Sequence, residues 1–463
     1  MENTKFKKFN IYTFFIIVAA VCGMALSLIV PISQTPDEGM HFYNMLMSYG
    51  TMELYAEEVQ FMESSGMASF NDDNEVKLVD EQAYYDAGMK KYSYDLKLSD
   101  FSLSTWALKF WPGAIGFYLG VFLKMPIIVC HQMAELFALI FYIIMGVITL
   151  KLIPFRKEVM LFIMLMPMVL QQAGSINPDV IVNSCSFLAT AYILHLKFRE
   201  KKVGWKDIII LGLLGIELLI AKEIYVLILA GIFIIPLDHF ELKIGKKFEL
   251  AAFIKKFKVL FIVLMVIGAA ACVYLLRNSV YGKVLLACIM QPGRTLLLFK
   301  FSVQSLKDYY LQTLVGCFGW LDTYVSYVFI MIFCLVLMYI MLFQKKEDIE
   351  LSSKLTLGNR ITFFVIAIAV SMLVFLAMIT WSFELTKLDL NADLSAFREY
   401  LYKIVIILGV QGRYFIPILP MVLIPLGKGY EYRSKKFYVG VQLLFYLFCL
   451  GHVVKIVFVR FWG

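Results

Sequence analysis

The sequence predicts an all-α, polytopic membrane protein, and three observations carry that prediction. Of its 463 residues 61% are apolar and only 17% charged, more apolar surface than a soluble domain of this length can hide. The apolar residues fall in continuous runs near the length that crosses a bilayer. None of the runs alternates in the ten-residue pattern of a barrel strand, and lipid offers no partners to unpaired backbone groups, so helices are the expected spanning element.

The first run, "MENTKFKKFNIYTFFIIVAAVCGMALSLIV", begins like a signal peptide, but its apolar part is long and no small-residue cleavage site follows. It reads as an uncleaved span over 11–30 that enters from the cytoplasm. Behind it, residues 31–105 hold fourteen Asp or Glu against four Lys. Amphipathic patterns there, such as "MELYAEEVQFMESSG", predict short helices lying near the membrane surface. The segment "STWALKFWPGAIGFYLGVFLKM" (104–125) has aromatics and a central Pro112-Gly113, which suit an interfacial or re-entrant element or a twelfth span. Further spans are predicted at 127–150, 158–174, 178–196, 207–221, 224–237, 257–277, 323–343, 360–381, 413–427 and 437–458. The pair 207–221 and 224–237 is short and joined only by "AKE", so it is either one kinked unit or a hairpin beside a cavity.

Lys and Arg set the orientation. "KFKK" (5–8), "KLIPFRK" (151–157), "KFREKKVGWK" (197–206), "KIGKKFELAAFIKKFK" (243–258), "KK" (345–346) and "KGYEYRSKK" (428–436) belong on the cytoplasmic side. Eleven spans keep every one inside, whereas twelve place "KLIPFRK" outside. The expectation is therefore one membrane domain over 1–463 in a cytoplasmic membrane, with its N-terminus inside. Extracytoplasmic loops are expected at 31–105, 278–322 and 382–412. No internal repeat is present, which disfavours transporters built from duplicated halves. The net charge of +8 includes no basic block suited to nucleic acid, and the eight cysteines are scattered without a CxxC pair. "NDDNEVKLVDE" (71–81) lacks the ligand spacing and central Gly of a calcium loop.

Certain polar residues stand out against this apolar background. In "TPDEGMH", Thr35 suits an N-cap, Pro36 the first helical turn, and Asp37 and Glu38 the positive end of the helix dipole. On a helix Asp37, Glu38 and His41 share a face. A helix start and a reactive carboxylate are compatible readings, since capping uses one residue and chemistry another. Asp179 follows the turn signal Asn177-Pro178. Lys222 and Glu223 sit between two apolar stretches, where a charge faces a partner or a cavity. Asp322 lies at the mouth of one span, and Gln411, Arg413 and Tyr414 at another. Arg suits bidentate contact with phosphate, although snorkelling accounts equally well for a lone Arg. Under the eleven-span topology these residues gather on the outer face, as a reaction on a lipid phosphate requires.

"PDEGMHF", "SINPDVIVN", "AKEIYVLI", "FGWLD" and "GVQGRYFIPILP" occur in the order found in a bacterial family of polytopic membrane proteins of unassigned function. That pattern in turn resembles the GT-C class of membrane glycosyltransferases, many-helix bundles with a catalytic acid soon after the first span. The resemblance implies a sugar donor carried on polyprenyl phosphate and a cell-envelope glycan, lipid or protein as acceptor. It places Asp37 at the catalytic acid, with Glu38 beside it. On the topology argument, Arg413 or Lys222, with Gln411 and Tyr414, would meet the donor phosphate, and His41, Asp179 and Asp322 would complete an acceptor or metal site. Whether an ion such as Mg or Mn takes part is left open. A flippase for lipid-linked glycans and a non-catalytic subunit of envelope assembly are the alternatives.

Overall fold

An apolar run closed by Val30-Pro31 makes the first helix, α1 (Ile11–Ile29). Its N-terminus is capped by Asn10, whose side chain accepts from the Tyr12 amide at 3.0 Å. The computed structural model describes residues 10–65, 79–244, 248–249, 253, 255–257, 263, 267–268, 271, 273–385, 389, 391–427 and 429–463. The basic segment at 5–8 and most of the predicted span 257–277 and of the stretch 71–81 fall outside those residues.

Three short helices, α2 (Glu38–Tyr49), α3 (Tyr55–Ser64) and α4 (Glu81–Gly88), occupy the acidic stretch after α1. Next, α5 (Trp111–Phe122) packs along α6 (Ile127–Leu152) through small residues. A Cβ on Gly116 would lie 2.2 Å from the Met133 carbonyl oxygen, so only glycine permits the two backbones to approach this closely. The run expected at 158–174 divides into α7 (Lys157–Met164) and α8 (Pro167–Ala173). Pro167 lacks an amide hydrogen and disfavours helical geometry in the residue before it, which breaks the helix there. α9 (Asp179–Phe198) is buried without interruption from Asp179 to Leu194 and forms the centre of the bundle. α10 (Trp205–Lys222) leads directly into a 3-10 stretch, Glu223–Ile234.

The second half contains α11 (Val280–Met290) and α12 (Pro292–Val315), bent by 103° at Gln291, then α13 (Tyr327–Leu342) and α14 (Lys346–Ser353). α15 (Leu357–Leu385), α16 (Leu394–Lys403), a 3-10 turn at Gly412–Ile418, α17 (Leu419–Leu423) and α18 (Lys435–Trp462) follow. Among the described residues the strands are three two-stranded ribbons. One of them, Cys317–Phe318 against Thr323–Tyr324, is an antiparallel hairpin with its tip at 319–322.

The all-α polytopic class is thus borne out, while the spans are less uniform than the hydropathy runs. Among the described residues five helices are long and apolar enough to cross a membrane: α1, α6, α9, α15 and α18. The bent pair α11–α12 makes a sixth if counted as one span, although 278–322 was expected to be a loop. The remaining predicted spans fall on shorter or broken elements: 323–343 on the 16 residues of α13, 224–237 on the 3-10 stretch, and 413–427 on a 3-10 turn plus α17.

Two sets of contacts fix the ends of the bundle. Arg156, in the left-handed region at φ 55°, buries its guanidinium against the carbonyls of Leu423, Ile424, Leu426 and Gly427. At the other set, Arg460 Nε and Nη2 donate to Asp322 Oδ2 at 2.8 and 2.6 Å, and Trp462 Nε1 donates to the Ile29 carbonyl at 2.6 Å. The last turn of α18 therefore holds both the end of α1 and the hairpin at 317–324.

Candidate functional site

The chain leaving α1 makes a tight turn before α2 starts. Thr35 was expected to cap that helix with Pro36 inside it; instead α2 begins at Glu38, with Asp37 at the N-cap position in the left-handed region at φ 65°. The Glu38 carboxylate accepts from the Thr35 amide ahead of the helix at 3.3 Å, while the Glu38 amide donates to the Thr35 carbonyl at 3.0 Å. The other carboxylate oxygen of Glu38 accepts from the Ile176 amide at 2.9 Å, tying this turn to the loop before α9. Burial pushes the Glu38 carboxyl above its usual range, against the pull of the Ile176 amide.

The Asp37 carboxylate makes no capping bond and pairs with Arg413 Nη2. The pair is asymmetric: the Arg413 side chain is 3% exposed and that of Asp37 54%. Arg413 Nη1 also reaches the Pro36 carbonyl at 3.4 Å. Arg413 therefore lies behind Asp37 and fixes it, and the carboxylate is the accessible member.

A second ion pair lies alongside. Asp179, at the first turn of α9, pairs with Lys222 at the end of α10 and accepts from Gln172 Nε2 at 2.7 Å. Gln172 is itself held by Asn183, whose Nδ2 donates to its Oε1 at 3.0 Å. Tyr414 links the two pairs. The Lys222 ammonium lies 5.0 Å from its ring centroid and the Arg413 guanidinium 5.5 Å. Tyr225 hydroxyl donates to the Tyr414 carbonyl at 2.8 Å. Gln411 is buried, and its Oε1 has no hydrogen-bond partner among the described residues.

Two cavities open near the start of α2, and Asp37 lines one of them. One encloses about 840 Å³ and is lined by His41, Trp106, Lys109, Phe110, Lys222 and Glu223 among others. Burial first, and the Lys222 charge second, bring His41 down to about 4. At neutral pH its imidazole is uncharged, and the positive charge of this cavity belongs to Lys109 and Lys222. The other cavity encloses about 790 Å³ and is lined by Ser33, Asp37, Glu38, Met62, Trp320 and Leu321 among others. Of the five non-glycine residues with positive φ among the described residues, Ser33, Asp37 and Leu321 all line this second cavity. Such backbone conformations are costly and collect where surrounding structure holds them for a purpose.

The structure thus brings Asp37, Glu38, His41, Asp179, Lys222, Gln411, Arg413 and Tyr414 into one neighbourhood. Asp322 stands apart from their ion pairs, bound to Arg460 and accepting from its neighbour Thr323 Oγ1 at 3.0 Å. Its position instead anchors the hairpin that carries Trp320. Among the described residues no group of three or more His, Cys, Asp or Glu is placed to hold a metal ion. Asp179 is paired with Lys222, Glu38 accepts from backbone amides, and Asp37 is paired with Arg413.

Some side chains escape the sequence patterns. Lys109 and Trp106 lie within an aromatic stretch whose hydropathy conceals its lysines. His131 and Glu135 lie inside a predicted span, where an ionisable residue is itself a signal. His131 Nε2 sits 3.0 Å from Glu58 Oε1 with both side chains buried, and Glu135 accepts from Ser27 Oγ. Glu58 also accepts from the Tyr92 hydroxyl, so this buried group fastens the acidic stretch onto α6.

A family model described as "Predicted membrane protein (DUF2142)" matches residues 20–422. No curated protein and no solved structure matches the chain.

Proposed function

Because the chain belongs to the DUF2142 family of predicted membrane proteins, whose function is unassigned, we propose a reading from its site: a membrane glycosyltransferase that moves a sugar from a polyprenyl-phosphate donor to a cell-envelope acceptor on the outer face of the membrane. The observation that carries it is the accessible Asp37 carboxylate, backed by buried Arg413, on the wall of one cavity, with Lys109 and Lys222 lining a second cavity by His41.

In this reading the lipid-linked phosphate lies in the cationic cavity. Lys222 and Lys109 offset the charge that grows on the phosphate as it leaves, which is where electrostatic help lowers the barrier. An acceptor hydroxyl attacks the anomeric carbon from the other cavity. The new C–O bond forms as the bond to the phosphate oxygen breaks; the electron pair goes to the phosphate and the hydroxyl proton to Asp37. Arg413 keeps Asp37 aimed. Asp179 holds Lys222 in place, and the neutral imidazole of His41 offers a hydrogen bond without adding charge. No step requires a metal ion.

The test is transfer from radiolabelled polyprenyl-phosphate sugar in membranes that contain the protein. Asn adopts the left-handed conformation as readily as Asp, so Asp37→Asn removes the base without disturbing the turn. General-base catalysis is worth about 10²–10⁴-fold, and a loss of that size at unchanged protein level is expected. Full activity in Asp37→Asn would remove Asp37 from the mechanism. A flippase is the second reading, favoured by the buried carboxylates Glu38 and Glu135, which suit coupling to protons. It would leave the donor intact and change only its sidedness.

A further inference from the structure

The cavity beside Asp37 has a construction that the transfer step alone does not require. Trp320 stands at the tip of the hairpin 317–324 with the indole 38% exposed, and its Nε1 donates to Gln34 Oε1 at 2.8 Å. That bond uses the polar edge of the ring and pins the ring in place. The hairpin tip is itself fixed. Gly319 takes φ +61°, with no room for a Cβ, which would lie 2.5 Å from Asp322 Oδ1. Leu321 is held at φ 64°, and Asp322 is clamped by Arg460. Holding a bulky leucine in the left-handed region is unfavourable, and the result is an aromatic side chain fixed on the wall of a cavity that also contains Asp37.

The same cavity carries polar atoms in need of partners. Ser33 lines the cavity at φ 62°, is 4% exposed, and its Oγ has no hydrogen-bond partner among the described residues. Behind it Gln34, fully buried, has its Oε1 taken by Trp320 and its Nε2 without a partner among the described residues. A buried hydroxyl without a partner is unfavourable unless a ligand supplies one. The ligand chemistry that uses a fixed aromatic ring, a buried hydroxyl and a carboxylate together is a sugar ring, with C–H groups on one face and hydroxyls at its edge. A peptide acceptor has no need for a rigid platform beside a carboxylate, and an acyl chain has no use for Ser33.

We propose that the cavity bounded by Ser33, Asp37, Trp320 and Leu321 binds a saccharide, so that the acceptor class is a glycan and Trp320 is its platform. The proposal rests on the transferase reading for its word "acceptor", while binding can be measured without catalysis.

Full-length protein in lipid nanodiscs is to be titrated with soluble oligosaccharides of hexoses, N-acetylhexosamines and deoxyhexoses, with tetraalanine and a short-chain phosphatidylglycerol alongside. Binding of at least one saccharide family is expected. Trp320→Ala should weaken it at least tenfold, Trp320→Phe should retain most of it, and Ser33→Ala should weaken it less than Trp320→Ala. Thermal midpoints of the variants separate a lost site from a lost fold, and Trp320→Phe keeps a ring where Trp320→Ala removes one. Binding of tetraalanine or phosphatidylglycerol in place of sugars, no saccharide binding, or saccharide binding indifferent to Trp320→Ala in a folded protein would each overturn the proposal. Asp37→Asn is expected to bind saccharide while losing transfer. If it binds saccharide and transfer persists, the base assignment fails while the sugar cavity stands.

Discussion

Asp37 holds an unusual position for a carboxylate at a helix start, because it takes the left-handed conformation at the N-cap position and makes no capping bond. The consequence is a carboxylate that faces solvent on one side and Arg413 on the other. That division could not be read from "TPDE", which as a string makes a good helix start and favours Thr35 as its cap. His41 carries the prediction at this scale. Its pKa falls to about 4 in the folded protein from about 6.5 for a free imidazole. A depressed value means that its contribution to stability is present above about pH 6.5 and is lost as pH falls towards 4, because the unfolded chain then binds the proton more readily. The thermal midpoint of detergent-solubilised protein should therefore decline between pH 7 and pH 4.5, with His41 contributing about 1–3 kcal/mol to the decline. His41→Gln should flatten the slope. An unchanged slope in that variant would mean that His41 is hydrated and not shielded.

Among the elements, the 3-10 turn at Gly412–Ile418 matters most to the site because it carries Arg413 and Tyr414. It lies so close to α12 that a Cβ on Gly412 would fall 1.9 Å from the Tyr310 carbonyl oxygen, and the Gly412 amide donates to Thr313 Oγ1 at 2.7 Å. Gly412→Ala must push the turn away from α12 and take Arg413 with it. Overpacking of this kind costs about 1–3 kcal/mol. The variant is expected to unfold at lower temperature and to lose transfer without any change to a reacting group, both measurable on the purified protein. The sequence showed this turn as part of an apolar run ending in prolines and gave no sign that it is not an α-helix. The 3-10 stretch after Lys222 misleads in the same way, since "EIYVLILAGIFI" is apolar throughout and hydropathy does not distinguish one helix type from another. The reverse error occurs at α12, where scattered lysines and an aspartate concealed a 24-residue helix.

For the molecule as a whole, the class and the five long apolar helices α1, α6, α9, α15 and α18 were legible because apolar surface in lipid demands them. Each of the five begins and ends within a few residues of an apolar run seen in the sequence. The partners of the charged residues were not legible, since Asp37 and Arg413 are 376 positions apart and a charge does not name its counterion. Orientation is the property to measure at this scale. The positive-inside pattern predicts that Asp95→Cys, in the stretch after α1, reacts with a membrane-impermeant maleimide on intact cells, whereas Lys354→Cys, after α14, reacts only once the cells are opened. Labelling of the unsubstituted chain gives the background from native cysteines, and the opposite pattern would invert the topology. The last turn of α18 adds a consequence in time. Arg460 secures the hairpin that carries Trp320, and Trp462 secures the end of α1 just ahead of Asp37. A nascent chain has Asp37 in place long before the ribosome reaches these two residues, yet neither wall of the cavity is fastened until both have emerged and α18 has docked. The cavity that holds Asp37 and Trp320 therefore takes its final form only with the docking of α18.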